Sequence, residues 1–420
     1  MLLQASFLTA ISRFMAATTK SEMNRDYDIA VLGANGYVGH RLVASLVEFS
    51  KSSGLRILAT ARSPEKIRAL KKEFPTIDFE TLNVLSQDDV DRIVPKARIV
   101  VSCIGPFDLY GENVVSTCAR TGTHYLDITG EIIFIRRMIE RYDETAKKAG
   151  AMLVPFAGFD TVPSDLSVFL AAHEMKTAHD QELASIDLIY KVKGGFNGGT
   201  AATAIDMGSK LSAPDQKNLN FLAPAEPAKN YNELYSPRYV NHLRQWVAPF
   251  FMESINNKVI YRTIALYKES ACDTASMNGD NLFSKDFSYR ESLHVPGGFL
   301  AVAAVATSLA TVQALLKTSV GRRLASFVVP APGQGPTERQ MQEGFFQATV
   351  VATGSRGKVM EYKMTSSGDP GNVSTVKMLM ACLRALTSKN DQIKNGFQTP
   401  ASAFGVALLP ALRDSGVVWE

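Results

Sequence analysis

Between Tyr27 and Pro155 the chain alternates short, dense apolar runs with longer stretches whose apolar residues recur at helical spacing. The run from Asp28 to Leu32 is apolar and ends at Gly33, which reads as a buried strand. Val38, Leu42, Val43, Leu46 and Val47 then form one stripe, predicting a helix. A second strand is predicted at 55–60. Ser63, Pro64 and Glu65 supply a cap, a first-turn proline and a first-turn acid for a helix running to Phe74. Further strands are predicted at 78–83, 98–104, 125–128 and 151–155, with helices at 87–94, 113–121 and 133–149 between them. Strands separated by helices of this length imply a parallel sheet with right-handed crossovers.

After Pro163 the rhythm changes. A capped helix at 164–174 leads into strand-like stretches at 184–192, 258–267, 342–353 and 358–365. The last two are joined by Gly354-Ser355-Arg356-Gly357, a hairpin signal. Residues 206–257 are polar, proline-dotted and rich in Asn and Tyr, and read as loops with short helices. Helices return at 373–386 and 401–412. The pattern predicts an α/β protein: a Rossmann-type doubly wound parallel sheet at 26–160, with a second α+β domain carrying an antiparallel sheet at 161–370. That second domain would hold substrate and any homodimer contact, and the C-terminal helices at 371–420 would pack back on the first.

Residues 297–316 break the pattern. They carry no charge and then meet Lys317, Arg322 and Arg323. The segment is long enough to span a bilayer, but its Ala, Thr and Ser content and Gln313 weaken the drive to insert. A buried or interfacial helix is the preferred reading, and association with a membrane or lipid surface stays open.

Composition narrows the class. The chain has 420 residues, 46% hydrophobic and 20% charged, enough for two globular domains. Its net charge of +4 gives no general pull toward nucleic acid. Cys103, Cys118, Cys272 and Cys382 form no C-x-x-C pair and no zinc-spaced cluster, so no metal is expected and a reducing, intracellular compartment fits. Residues 1–25 are rich in Ser and Thr, include Arg13 and Lys20, and have no acid before Glu22. They read either as a transit peptide for the mitochondrion or another organelle, or as a disordered extension.

The candidate chemistry starts at Gly33-Ala34-Asn35-Gly36-Tyr37-Val38-Gly39, between the first strand and the first helix. Glycines there permit the tight turn, the approach of a pyrophosphate and close helix–strand packing, while the helix N-terminus offers N–H groups to phosphate. NAD binders place an acid near the end of the second strand. Here Ala59-Thr60-Ala61-Arg62-Ser63 stands instead, and Arg62 with Ser63 suits a 2′-phosphate, favouring NADP over NAD. The fourth strand ends in Cys103-Ile104-Gly105-Pro106, where Cys103, Gly105 and Pro106 would border the dinucleotide.

With these residues in view, the chain resembles the saccharopine dehydrogenase-like oxidoreductases, a group that includes the trans-acting enoyl reductases. The resemblance rests on GANGYVG at 33–39, ATARSPEK at 59–66, CIGPFDLYGENVVSTCARTGTHYLDITGE at 103–131 and PFAGFDTVPSD at 155–165. PAPGQGP at 330–336, SSGDPGN at 366–372 and TPASAFG at 399–405 extend it toward the C-terminus. It implies a Rossmann domain, an α+β second domain and NADP(H) or NAD(H) as redox partner. Members often read D-P-G-Y where this chain has Asp369-Pro370-Gly371-Asn372.

Hydride transfer needs positioning and often one acid that delivers a proton. His124 and Tyr125 are candidate donors, Asp127 and Glu131 candidate orienting groups, and Asp160 could face the nicotinamide. Asp127 and Thr129 also read as capping groups, and Ser164 and Asp165 as helix-start residues. None of the 13 tyrosines has Lys four residues later, which argues against the short-chain dehydrogenase mechanism. The leading expectation is a reductase of an apolar or lipid-linked acyl substrate. The alternatives are a saccharopine-type reductase, for which Arg238, Arg244 and Arg262 would be the carboxylate ligands, and a dinucleotide-binding protein without turnover.

Overall fold

The computed structural model of the protein describes residues 25–194, 213–227, 229, 231, 236–273, 281–318, 320–323, 335–388 and 394–420. The segment read as a transit peptide or extension lies outside them except for Arg25, which donates to the carbonyls of Pro95, Ala97 and Thr121.

The first sheet is the predicted parallel one. Its strands are β1 (Tyr27–Leu32), β2 (Ile57–Ala61), β3 (Asp78–Thr81), β4 (Ala97–Ser102), β5 (His124–Asp127), β6 (Met152–Val154) and β13 (Gly396–Phe397), in the order β13-β6-β5-β4-β1-β2-β3. Between them run α1 (Tyr37–Ser53), α2 (Pro64–Glu73), α3 (Gln87–Ile93), α4 (Phe107–Tyr110), α5 (Glu112–Thr121) and α6 (Ile132–Ala149). Helices on both faces explain why Ile29, Ala30, Val31 and Leu32 are all buried, so β1 shows no alternation. Because β1 lies between β2 and β4, the strand order reverses there, and the crevice at its C-terminal end is where such sheets bind ligands.

The second sheet has the order β14-β12-β11-β7-β10-β9-β8. Its strands are β7 (Leu183–Lys193), β8 (Arg238–Val240), β9 (Gln245–Pro249), β10 (Phe283–His294), β11 (Phe345–Gly354), β12 (Val359–Ser367) and β14 (Val417–Trp419). β11 and β12 form the predicted hairpin, with Gly357 in the left-handed region at φ 85. The sheet is mixed rather than wholly antiparallel, since β10 runs parallel to β7. Packed with it are α7 (Val162–His179) and α8 (Glu253–Asp273), followed in sequence by α9 (Gly298–Leu316) and α10 (Glu338–Gln342). The chain closes with α11 (Thr375–Ser388), α12 (Pro400–Phe404) and α13 (Leu408–Asp414). A single apolar core runs from Ile29 and Val31 through Leu166 and Ala171 of α7 to Leu188 and Val350.

Two expectations are corrected. The stretch 258–267 is not a strand but the middle of α8. Every residue from Asn256 to Ala265 is buried, so the helix has no polar face to reveal its period. The stretch 206–257 is not only loops and short helices: it contains β8 and β9, of three and five residues, too short to show a strand period.

Candidate functional site

The glycine turn follows from steric necessity. Gly33 has φ 83, and a Cβ there would lie 2.7 Å from Ile104 Cγ1. A Cβ on Gly39 would stand 2.2 Å from the Gly33 carbonyl oxygen, so α1 can approach β1 only if that position is glycine. Gly36 N–H donates to the Gly33 carbonyl at 2.9 Å, and Ala34 N–H donates to the Thr60 carbonyl at 2.9 Å. Gly36 is the N-cap of α1, with no side-chain cap and no acid in the first turn. The first N–H groups and the positive end of the helix dipole therefore remain available to an anion. Asn35 is exposed beside the turn, and Val38 is buried beneath it.

Other parts of the chain complete the cradle. Arg62 is exposed at the end of β2 with no ion-pair or hydrogen-bond partner among the described residues. Ser63 caps α2 by accepting from Lys66 N–H at 3.2 Å, which leaves its hydroxyl proton free to donate. On the other side, Cys103 N–H donates to the Leu32 carbonyl at 3.0 Å. Burial pushes its thiol up to about 12, with the charge of Asp127 adding to the shift, so it is no thiolate. The peptide bond between Gly105 and Pro106 is cis, and a Cβ on Gly105 would meet only the Phe107 ring, at 3.6 Å. These residues fit a dinucleotide: an uncapped helix N-terminus, a close backbone approach at Gly33 and an unpaired cation at Arg62.

The turn also carries a clasp. Tyr37 donates its hydroxyl to the Pro336 carbonyl and lies 3.6 Å from Met341 Sδ, while Arg41 stacks on the Tyr37 ring and pairs with Glu338. The segment entering α10 thus lies against the dinucleotide turn. The part of PAPGQGP before Gly335 lies outside the described residues.

Of the five proposed chemical residues, His124, Tyr125 and Asp127 lie within β5 and Glu131 just past it. His124 opens the strand, at the end away from the crevice, so it is not at the edge where a nicotinamide would lie; it accepts from Met152 N–H at 3.1 Å through Nδ1. Tyr125 donates to Asp127 at 2.8 Å, and Asp127 accepts from Thr129 N–H at 3.0 Å and Phe156 N–H at 3.1 Å. Burial pushes the Asp127 carboxyl up to about 7 against these bonds. Glu131 accepts from Phe107 N–H at 2.9 Å and Asp108 N–H at 2.8 Å, the start of α4 just past the cis bond. These side chains hold the loops around the crevice in place.

Asp160 stands apart, between β6 and α7. Burial pushes its carboxyl up to about 6, and it accepts no hydrogen bond among the described residues. Burial raises the pKa of the Tyr190 phenol, with the charges of Glu291 and, to a smaller degree, Asp160 adding to the shift. Beyond lies a polar network that the sequence does not reveal. Ser164 Oγ is 2.9 Å from the Tyr190 hydroxyl and donates to Glu291 at 2.7 Å. Asn256 donates to both Glu291 oxygens at 3.0 Å and accepts from Thr161 at 3.0 Å. Burial pushes Glu291 up to about 8, and the Tyr289 hydroxyl is buried nearby. Only the parallel register of β7 and β10, with Leu188 beside Glu291, assembles this group. Ser164 and Asp165 do not cap the helix. Ser164 belongs to this network, and Asp165 accepts from Ala401 N–H at 2.8 Å and from Thr263.

The core packed around this network is aromatic. Phe159 lies 5.7 Å from Tyr190 and 4.9 Å from Phe346, and Tyr190 stacks on Phe250 at 4.7 Å. Two arginines of the second domain are engaged elsewhere. Arg238 pairs with Asp187 at 2.6 Å, and buried Arg262 donates to the carbonyls of Leu222 and Phe397 at 2.7 and 2.6 Å. Arg244 sits between β8 and β9 with φ 50.

A family model described as the saccharopine dehydrogenase NADP-binding domain matches residues 29–154, from β1 to β6. A Mycobacterium tuberculosis protein provisionally named a trans-acting enoyl reductase is 31% identical over 421 residues, covering 94% of this chain and 97% of its own length. The chain belongs to the saccharopine dehydrogenase-like oxidoreductases. A trans-acting enoyl reductase of Mycobacterium ulcerans is 27% identical, covering 95% of this chain and 98% of its own. Apo saccharopine dehydrogenase (L-Glu forming) from Saccharomyces cerevisiae shares the fold, with a TM-score of 0.54 at 12% identity over 94% of this chain and 99% of its own. In this member of the family, Asn372, which stands where relatives often have tyrosine, is buried and donates to Asp369 at 2.6 Å. Asp369 in turn accepts from Val373 N–H at 3.1 Å, so the motif serves as the cap leading into α11.

Proposed function

We propose that the protein is an NADP(H)-dependent reductase of an apolar, acyl or lipid-linked substrate of the enoyl type. The observation that carries this reading is that Arg238 and Arg262, which a dicarboxylic amino-acid adduct would need, are bonded elsewhere, while the residues behind Asp160 are the buried core aromatics Phe159, Tyr190, Phe250 and Phe346. The names of the mycobacterial relatives agree with it.

The N-terminus of α1 and the backbone at Gly33–Gly39 hold the pyrophosphate. Arg62 and Ser63 receive the 2′-phosphate, which selects NADP over NAD. NADPH, when bound, supplies the hydride. Asp160 supplies the matching proton: desolvation keeps its carboxyl neutral nearer to working pH than an ordinary aspartate, and no other group competes for it. The sum is one hydride and one proton added across one double bond.

The reading is tested by following NADPH oxidation with α,β-unsaturated acyl thioesters and, separately, with a 2-oxo acid plus an amino acid. Turnover of the thioesters alone is expected; turnover of the amino-acid pair alone would overturn it. Arg62→Ala should weaken NADPH binding by about 10- to 100-fold, from a charge-assisted bond worth about 1.5–3 kcal/mol, and leave NADH unchanged. Equal loss for both cofactors would remove Arg62 from the 2′-phosphate site.

A further inference from the structure

The helix α9 is apolar on every side, yet within its 19 residues only Val302 and Ala306 are buried. In a water-soluble protein such a helix is ordinarily enclosed. Here one narrow stripe packs toward β9, where Phe299 meets Trp246 at 4.8 Å and Trp246 meets Tyr239 at 5.4 Å. The opposite side presents Leu300, Ala304, Thr307, Ser308, Thr311, Val312 and Leu315, spaced three or four apart along one face; Leu300 is 80% exposed. Val320 continues the apolar surface past the helix end. This is a single continuous strip and not a scatter of isolated residues.

We propose that α9 docks the protein on a phospholipid bilayer carrying anionic headgroups, lying in the plane of the interface with its exposed side among the acyl chains. This does not depend on the reaction proposed above. Three observations select lipid as the occupant. First, two of the polar side chains of the exposed face do not require water. Ser308 donates its hydroxyl to the Ala304 carbonyl at 2.8 Å, and Thr311 donates to the Thr307 carbonyl at 2.8 Å, so both enter an apolar phase already bonded. Second, charge is placed where headgroups would lie. Lys317, Arg322 and Arg323 follow the helix, and no acid occurs from 297 to 323. A second copy of this surface would bring the same three cations and no acid from 297 to 323. Third, Trp246 and Tyr239 flank the other end, and such amphipathic rings favour the boundary between headgroup and chain.

The same contacts decide between lying and crossing. The helix is about 28 Å long at 1.5 Å per residue, close to the hydrocarbon thickness. Its stripe is fixed to β9, however, and a perpendicular insertion would carry the neighbouring edge strand β8 toward hydrocarbon, where unpaired backbone groups are not tolerated. Gly297 and Gly298, both in the left-handed region at φ 107 and 74, form the joint from which the helix leaves β10.

The test uses the full-length protein and vesicles of phosphatidylcholine, with or without phosphatidylserine. The intact protein should float with the mixed vesicles and at least tenfold less with phosphatidylcholine alone. Leu300→Asp together with Leu315→Asp should reduce flotation at least tenfold without moving the thermal midpoint or NADPH binding, because both side chains are exposed. Lys317→Glu should reduce it several-fold and make the remainder insensitive to salt. Failure of the intact protein to float would overturn the proposal, as would flotation that these substitutions leave unchanged. A dimer in solution that Leu300→Asp and Leu315→Asp dissociate, with no flotation, would give the surface to a second copy instead.

Discussion

The loops that leave β5 and β6 lie on the same edge of one parallel sheet, and both carry carboxylates next to buried hydroxyls. After β5, each candidate acid meets backbone N–H groups: Asp127 takes those of Thr129 and Phe156, and Glu131 takes those of Phe107 and Asp108. After β6, Asp160 meets none among the described residues, although burial raises its pKa as well. The difference is one of supply. The β5 edge borders loops whose turns leave N–H groups unpaired, and an acid there is absorbed into architecture. Asp160 faces the second sheet, whose nearby strands already pair their own backbones. Residue type and position along a strand do not tell a framing carboxylate from a reactive one; the orphan donors around it do.

The comparison breaks first at Asp160. Asp160→Asn should lower kcat by about 10²- to 10⁴-fold, the usual contribution of a positioned acid, and move stability by less than about 1 kcal/mol. Wild-type kcat/KM should fall as pH rises through about 6, because the group must carry its proton. Full activity in the variant would return the role to the β5 edge.

The converse concerns Asp127. Asp127→Ala should cost about 3–5 kcal/mol in urea unfolding, since it strands two buried N–H groups and the Tyr125 hydroxyl. If instead it unfolds normally but fails in turnover, the assignment of the two edges is reversed.

Glu291 gives the smallest effect and the finest test. It holds its proton to about 8, against 4.5 ordinarily. Between those values the unfolded chain has released a proton that the folded chain keeps. The contribution to stability is therefore complete below about 4.5 and is lost as pH rises toward about 8. Glu291→Gln should flatten the decline of stability over that window; an unchanged slope would mean that Glu291 is ionised in the fold.

Much of the first domain is readable because its signals are local. The apolar run of β1, the glycines at 33, 36 and 39, the Ser63–Pro64 helix start and Arg62 all lie within a few residues of what they determine. The second domain is less readable for two reasons. In α8, burial on all sides erases the polar face, and the β-branched run around Val259, Ile260 and Thr263 imitates a strand. β8 and β9, of three and five residues, are too short to stand out. The Ser164–Tyr190–Glu291–Asn256 network is readable nowhere, because its members lie on four separate elements, α7, β7, β10 and α8, and meet only in the fold. Residues 297–316 were legible as an apolar helix; which of its sides are covered was not, since that depends on β9.

The placement of β13 bears on how the chain is made. Gly396 and Phe397 are hydrogen-bonded beside β6, with Gly396 N–H donating to the Ala151 carbonyl at 2.8 Å and Gln398 N–H donating to the Leu153 carbonyl at 2.8 Å. A ribosome therefore releases the whole cofactor half well before the strand that closes its edge exists. During that interval β6 is a bare template for any passing strand. Nascent chains stalled before residue 396 should be the species that chaperones retain and that aggregates recruit, and the two sheets should become secure together, when the last turns of chain emerge.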